Sequence, residues 1–117
     1  MHKLLLPLAA LALAAAAPAR AADAPAAGRR VEIKVTDAGF EPREVKARKG
    51  EPLTLVFTRV TERTCITAID IPDEKVKNLD LPLNKAVAVT VTPRKAGIEP
   101  FHCSAMGMGN GRLVVVD

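Results

Sequence analysis

Hydrophobic and polar residues alternate in short bursts along this chain. Val31, Ile33 and Val35 alternate with Glu32, Lys34 and Thr36, the period-two signature of a strand with one buried face. Asp37-Ala38-Gly39 ends that run. From Phe40 to Ala47 charges alternate around Pro42, and an irregular edge segment is expected there. Lys49-Gly50-Glu51-Pro52 is a turn. Leu53, Leu55 and Phe57 mark a second strand with Thr54 and Thr58 on its other side, and Val56 predicts cover on that side as well. Thr64 to Ile71 is rich in β-branched residues. A regular strand there puts Cys65, Thr67, Ile69 and Ile71 on one face. Pro72-Asp73-Glu74 breaks it. Val76 to Leu83 reads as a Leu-rich connection with room for a short helical turn. Ala86 to Thr92 alternates again through Val87, Val89 and Val91, and Pro93 to Gly97 turns the chain. Ile98 to Cys103 and Leu113 to Val116 complete the set. About seven short strands, with a turn roughly every 8–12 residues, predict an all-β, two-sheet β-sandwich. There is no internal repeat and no long amphipathic helix.

The N-terminus has a different pattern. His2 and Lys3 precede an apolar run from Leu4 to Ala17 broken only by Pro7, and Pro18-Ala19-Arg20-Ala21 supplies an A-x-A cleavage site. Residues 1–21 are expected to be a signal peptide. The run is short for a membrane span and lacks a stop-transfer flank, so no span is expected after cleavage. A periplasmic or secreted location follows. Residues 22–29, rich in Ala and Pro, read as a flexible lead-in, and residues 30–117 as one domain.

Charge narrows the function classes. Loss of Lys3 and Arg20 with the leader lowers the formal net charge from +4 to about +2. The remaining charges are scattered, and the chain has three Phe but no Trp or Tyr. Nucleic-acid binding calls for a basic stripe or stacking aromatics, and neither is visible. Ser104 is the only serine and no Gly-x-Ser-x-Gly elbow surrounds it. The carboxylates form no nominable acid/base pair. An enzyme is not expected.

Candidate chemistry concentrates in Cys103-Ser104-Ala105-Met106-Gly107-Met108. Thiolate and thioether are soft donors, and together they select Cu(I) among common biological metals. Cys103 ends a predicted strand, and Met106 and Met108 follow on a loop. Gly107, Gly109 and Gly111 permit tight turns that aim side chains inward. A mid-chain strand of a Greek-key sandwich commonly runs beside the last strands, so Cys65 is available as a fourth sulfur. Zinc calls for more Cys or His and does not choose thioethers. A blue copper site calls for two His and a Cys. Beyond the leader the chain has only His102, which alternation turns to the face opposite Cys103.

The chain resembles the cupredoxin family over nearly all of the sequence after the leader. Gly39-Phe40-Glu41-Pro42, Val45, Lys49-Gly50 and Leu53 to Phe57 carry the first part of that resemblance. Phe101-His102-Cys103, the loop, and Gly111-Arg112-Leu113-Val114-Val115-Val116 carry the last. More narrowly, Arg63-Thr64-Cys65, Ile69-Asp70-Ile71-Pro72 and Leu81-Pro82-Leu83-Asn84 resemble a bacterial subgroup with EfeO-type cupredoxin-like domains and Cu(I)-binding domains of copper-handling proteins. There a Cys replaces the first His ligand and a Cys-Met-Met loop replaces Cys-His-Met. The resemblance implies a Greek-key β-sandwich, Cu(I) as the bound ion, and Cys65, Cys103, Met106 and Met108 as its ligands. It also implies a copper-handling protein or copper exporter as exchange partner. Separately, the domain is expected to be a monomer. The subgroup usually has one residue between the Cys and the first Met, whereas Ser104 and Ala105 both intervene here. Pro100 predicts a local edge or bulge in its strand.

Two other readings stay open on the sequence. One is an electron-transfer protein cycling Cu(I) and Cu(II). The other is a metal-free interaction domain stapled by a Cys65–Cys103 disulfide, the default for paired cysteines in a secreted domain. That default leaves two methionines unexplained in a Gly-rich loop, a poor place for core packing.

Overall fold

The computed structural model describes residues 28–107 and 110–117. The expected signal peptide, residues 1–21, most of the lead-in and Met108 lie outside the described residues. The inward-facing apolar residues build nine strands among the described residues: β1 (Arg29–Thr36), β2 (Gly39–Glu41), β3 (Glu44–Arg48), β4 (Leu53–Arg59), β5 (Ala68–Ile71), β6 (Val76–Asp80), β7 (Ala86–Val91), β8 (Gly97–Cys103) and β9 (Gly111–Val116). They form a four-stranded sheet in the order β2-β1-β4-β7 and a five-stranded sheet in the order β3-β9-β8-β5-β6. Two of the pairs, β1 with β4 and β3 with β9, are parallel. No helix among the described residues is long and apolar enough to cross a membrane.

The alternating runs behave as their pattern predicts. Ile33 and Val35 of β1, Leu55 and Phe57 of β4, and Leu113 and Val115 of β9 all enter one core shared by the two sheets. Val56 is buried on the opposite side of β4, flanked in register by Glu32 and Ala88. The three phenylalanines meet at the centre. Phe40, Phe57 and Phe101 form edge-to-face pairs with centroids 4.8 to 6.1 Å apart, the arrangement their ring quadrupoles favour. One edge of Phe101 lies directly over Gly111, its register partner on β9, and the space a Cβ would occupy there is filled by the ring.

Four segments depart from expectation. The stretch from Phe40 to Ala47 is two strands, β2 and β3, one in each sheet. Pro42 and Arg43 carry the chain between the sheets, while Val45 and Ala47 stay buried between exposed Glu44, Lys46 and Arg48. The connection after Pro72 contains a strand, β6, and the helical turn falls earlier, at Pro72–Glu74. β6 escapes a period-two reading because it is bulged: Lys77 and Asn78 lie between the partners of Ile69 and Ile71, with Asn78 at φ 53. The strand containing Ile69 starts at Ala68, not Thr64. Finally, β1 already begins at Arg29. Pro100 lies in the middle strand β8, but β5 pairs only with His102 and Cys103. At Pro100 the strand has lost that neighbour, so its missing N–H meets a local edge.

Candidate metal centre

Cys103 is the last residue of β8 and shares the inward parity of Phe101, so its side chain ends the core and is only 1% exposed. Beside it in register stands Ile69 of β5. The chain then leaves the sheet through a turn, Ser104 to Met106. That turn is fixed at both ends: the Ser104 amide donates to the Ala68 carbonyl at 2.9 Å, and the Gly107 amide to the Cys103 carbonyl at 2.9 Å. Gly107 adopts φ 67, a left-handed conformation open to glycine without steric cost.

Cys65 reaches the same place from the other direction. The segment before β5 is not extended, because the Thr64 hydroxyl accepts the Ile66 amide at 3.0 Å and the Cys65 carbonyl accepts the Thr67 amide at 3.1 Å. Such side-chain-to-backbone bonds compete with sheet pairing. Ile66 therefore enters the core, and Cys65 and Thr67 face solvent. This corrects the expectation that Cys65, Thr67, Ile69 and Ile71 share a face; only Ile69 and Ile71 do. The turn nevertheless carries Cys65 to the loop: the Cys103 thiol donates to the Cys65 carbonyl across 3.4 Å. Both cysteines are free thiols. An open groove of about 440 Å³ lies against Cys65, lined also by Asp37, Glu62, Arg63 and Thr64.

Met106 is on the turn and 65% exposed. Met108 lies outside the described residues, so the structure places three of the four expected sulfur residues at one end of the sandwich. Among the described residues no three His, Cys, Asp or Glu side chains converge where they could hold an ion. The donor set present, two thiols and an adjacent thioether, fits a soft monovalent ion better than a hard divalent one. His102 Nδ1 lies 3.0 Å from the Cys103 carbonyl. A carbonyl only accepts, so this bond requires the proton on Nδ1.

The sequence did not single out Asp70. It pairs with His102 across β5 and β8. One carboxylate oxygen accepts from the Asn78 amide at 2.8 Å and from the Ser104 hydroxyl at 2.6 Å. Those two donors, aided by the nearby His102 and Lys77, hold its carboxyl below the ordinary value of 3.8. No local motif announces this contact, because it depends on strand register across 34 residues.

Known proteins agree with this architecture. The family described as cupredoxin-like domain matches residues 4–115. The chain belongs to that family. Among solved structures, this cupredoxin-like chain is similar to a copper-binding protein studied in its apo form, at 32% identity and a TM-score of 0.63, covering 73% of this chain and 86% of that one. It is also similar to the metal-binding domain of the Streptococcus pneumoniae D39 Cu(I)-exporting P-type ATPase CopA, solved with Cu(I), at 25% identity and a TM-score of 0.61, covering 75% of this chain and 85% of that one. Auracyanin B shares the fold at 11% identity and a TM-score of 0.58, with 80% of this chain and 92% of that one covered. No curated protein sequence matches the chain. The all-β sandwich expected from alternation is thus the cupredoxin fold, and copper-binding neighbours support a copper-binding protein.

Proposed function

We propose that this protein is a periplasmic or secreted Cu(I) carrier that stores, moves or detoxifies copper and catalyses no reaction. Copper is its cargo. Cys103 and Cys65 supply thiolates, and Met108 and Met106 supply thioethers. The observation that carries the reading is the meeting of the buried Cys103 thiol with the exposed Cys65 turn, beside a methionine-bearing loop. Thiolates and thioethers stabilise the d¹⁰ ion, and the chain beyond its leader lacks the second imidazole that a blue site uses beside its thiolate. The Cu(I)-loaded domain of a copper exporter among its structural neighbours supports a copper-handling protein or exporter as exchange partner. The open groove beside Cys65 gives such a partner's thiols access to the ion. The segment 1–21 serves as the signal peptide in this reading, and the folded domain works as a monomer.

The test is metal competition on the reduced protein. It is expected to take up about one Cu(I) against a competing chelator and to hold it far better than Zn(II). Cys65→Ser is expected to weaken retention more than Met108→Ala, and Met106→Ala to weaken it as much as Met108→Ala or somewhat less. The Met variants should keep the wild-type thermal midpoint, since Met106 is exposed and both methionines belong to a Gly-rich stretch rather than to a core strand pattern. Equal retention of zinc, or unchanged copper uptake in all three variants, would overturn the proposal. In the latter case a large loss of stability at Cys65→Ser under oxidising conditions would identify a disulfide-stapled module instead.

A further inference from the structure

Asp70 has two ties that serve different ends. Its bond to the Asn78 amide closes the bulge between β5 and β6, which is a local structural task. Its bond to the Ser104 hydroxyl reaches a residue on another strand's exit, directly after the buried Cys103. Ser104 is also held by its amide to Ala68, two residues before Asp70. The first residue of the loop is therefore clamped to β5 at two points, one through backbone and one through side chain. Cys103 itself needs no such help, because it is packed in the core. The residues that gain from the clamp are those after it, including Met106, whose exposed side chain has little packing to hold it. Polar partners that orient a ligand-bearing segment commonly affect metal affinity about 10- to 100-fold.

We propose that Asp70 is a positioning residue for the metal loop, acting through Ser104 to hold the loop in its copper-receiving conformation. This rests on the Cu(I) reading above. Asp70 does not touch the ion in this account; it limits the conformations that the loop must give up when the ion binds. Ser104 is the hinge pin, and its hydroxyl has this role and not a nucleophile's.

The experiment uses four variants of the reduced protein: Asp70→Ala, Asp70→Asn, Ser104→Ala and the double variant Asp70→Ala/Ser104→Ala. Two readouts are taken, Cu(I) retention against a chelator and, on the metal-free protein, hydrogen exchange at the Ser104 and Gly107 amides. Asp70→Ala and Ser104→Ala are each expected to weaken retention about tenfold and to speed exchange at Gly107. Asp70→Asn keeps an oxygen that accepts both bonds, so it should retain most of the wild-type behaviour on both readouts. The double variant should be no weaker than Asp70→Ala alone, because both changes break the same bond. A purely structural Asp70 gives a different result: Asp70→Ala lowers the thermal midpoint, Ser104→Ala changes nothing, and loop exchange is unaltered. That result overturns the proposal, as does additivity of the two single changes. If the wild type takes up no Cu(I), the copper reading fails and takes the copper-positioning role with it, and altered loop exchange then shows only that Asp70 holds the loop through Ser104. If it takes up Cu(I) and all four variants match it, the positioning role fails and the copper reading stands.

Discussion

Glu99 offers a prediction that can be worked from the structure without any metal. It points inward from β8, on the same parity as Phe101 and Cys103, and is only 7% exposed. Among the described residues its Oε1 has no hydrogen-bond partner. Burial comes first in pushing its carboxyl up from 4.5 to about 7; a hydrogen bond shared with Glu74 and the negative charges of Glu74 and Asp73 push the same way. The positive groups on this side, Arg94 and Lys95, line an open groove of about 290 Å³ with Asp73 and Glu99. Glu74 is itself anchored, accepting from the Thr92 amide at 3.0 Å. A protonated Glu99 donates to Glu74, whereas an ionised one confronts it. The folded value lies above the unfolded one, so the native state binds more protons between the two. The associated stability is fully present below about 4.5 and is lost as pH rises through about 7. At about 1.4 kcal/mol per pH unit the loss is at most about 3 kcal/mol. Glu99→Gln keeps a neutral donor for Glu74 at every pH. Urea unfolding of reduced, metal-free protein from pH 4.5 to 8 should show wild type losing about 1–3 kcal/mol relative to the variant, with the variant the more stable at pH 8. Parallel stability curves over that range would refute the reasoning.

Two further outcomes follow from the core and from the donor set. Gly111→Ala places a methyl in the space held by the Phe101 ring, a change that costs at least about 2 kcal/mol because a packed ring cannot retreat. The thermal midpoint should fall by about 10 °C or more, and an unchanged midpoint would show that the aromatic centre is loosely packed. Adding Cu(II) to the reduced protein should give no intense blue band and should instead consume both free thiols as Cys65 and Cys103 are oxidised. A stable visible thiolate-to-copper absorption would favour the electron-transfer reading.

Much of the sandwich was legible because several of its strands carry a period-two apolar face, most plainly β1. Ile33 with Val35 and Leu55 with Phe57 needed only alternation to be placed in the core, whereas Leu113 to Val116 is apolar throughout and the structure decides that Leu113 and Val115 enter it. The segments that resisted all carry a local disturbance of that period. Pro42 hides the change of sheet between β2 and β3, although Glu44-Val45-Lys46-Ala47-Arg48 does alternate. β6 has only Val76 and Leu79 partly buried, and the bulge at Asn78 separates them by an odd interval. Ahead of β5 the Thr64 hydroxyl offers the backbone a turn in place of a ladder, and burial passes from Cys65 to Ile66. Glu99 was within reach of sequence alone, since the parity that buries Phe101 and Cys103 also buries a carboxylate two residues earlier.

The site is legible to a different depth, for a physical reason. Donor chemistry is a property of residue type, so sulfur in a Gly-rich loop can be read from one sequence. Whether the donors meet is a property of register. The structure brings Cys65 to Cys103 through a turn and not through the strand that alternation suggested, and contact is made by a carbonyl that no pattern marks. The Asp70–Ser104 bond is of the same kind: it exists because β5 lies beside β8 with Asp70 opposite His102. These two contacts join the loop to the same strand, β5, and to the turn that leads into it. β5 in turn is held by Ile69 and Ile71 in the core. The sulfur-bearing loop, with Met106 exposed, thus stands on a rigid element at one end, through Cys103, and on a second rigid element at its side, through Ser104. That arrangement fixes the entry to the loop while leaving Met106 exposed, which suits the carrier role proposed above.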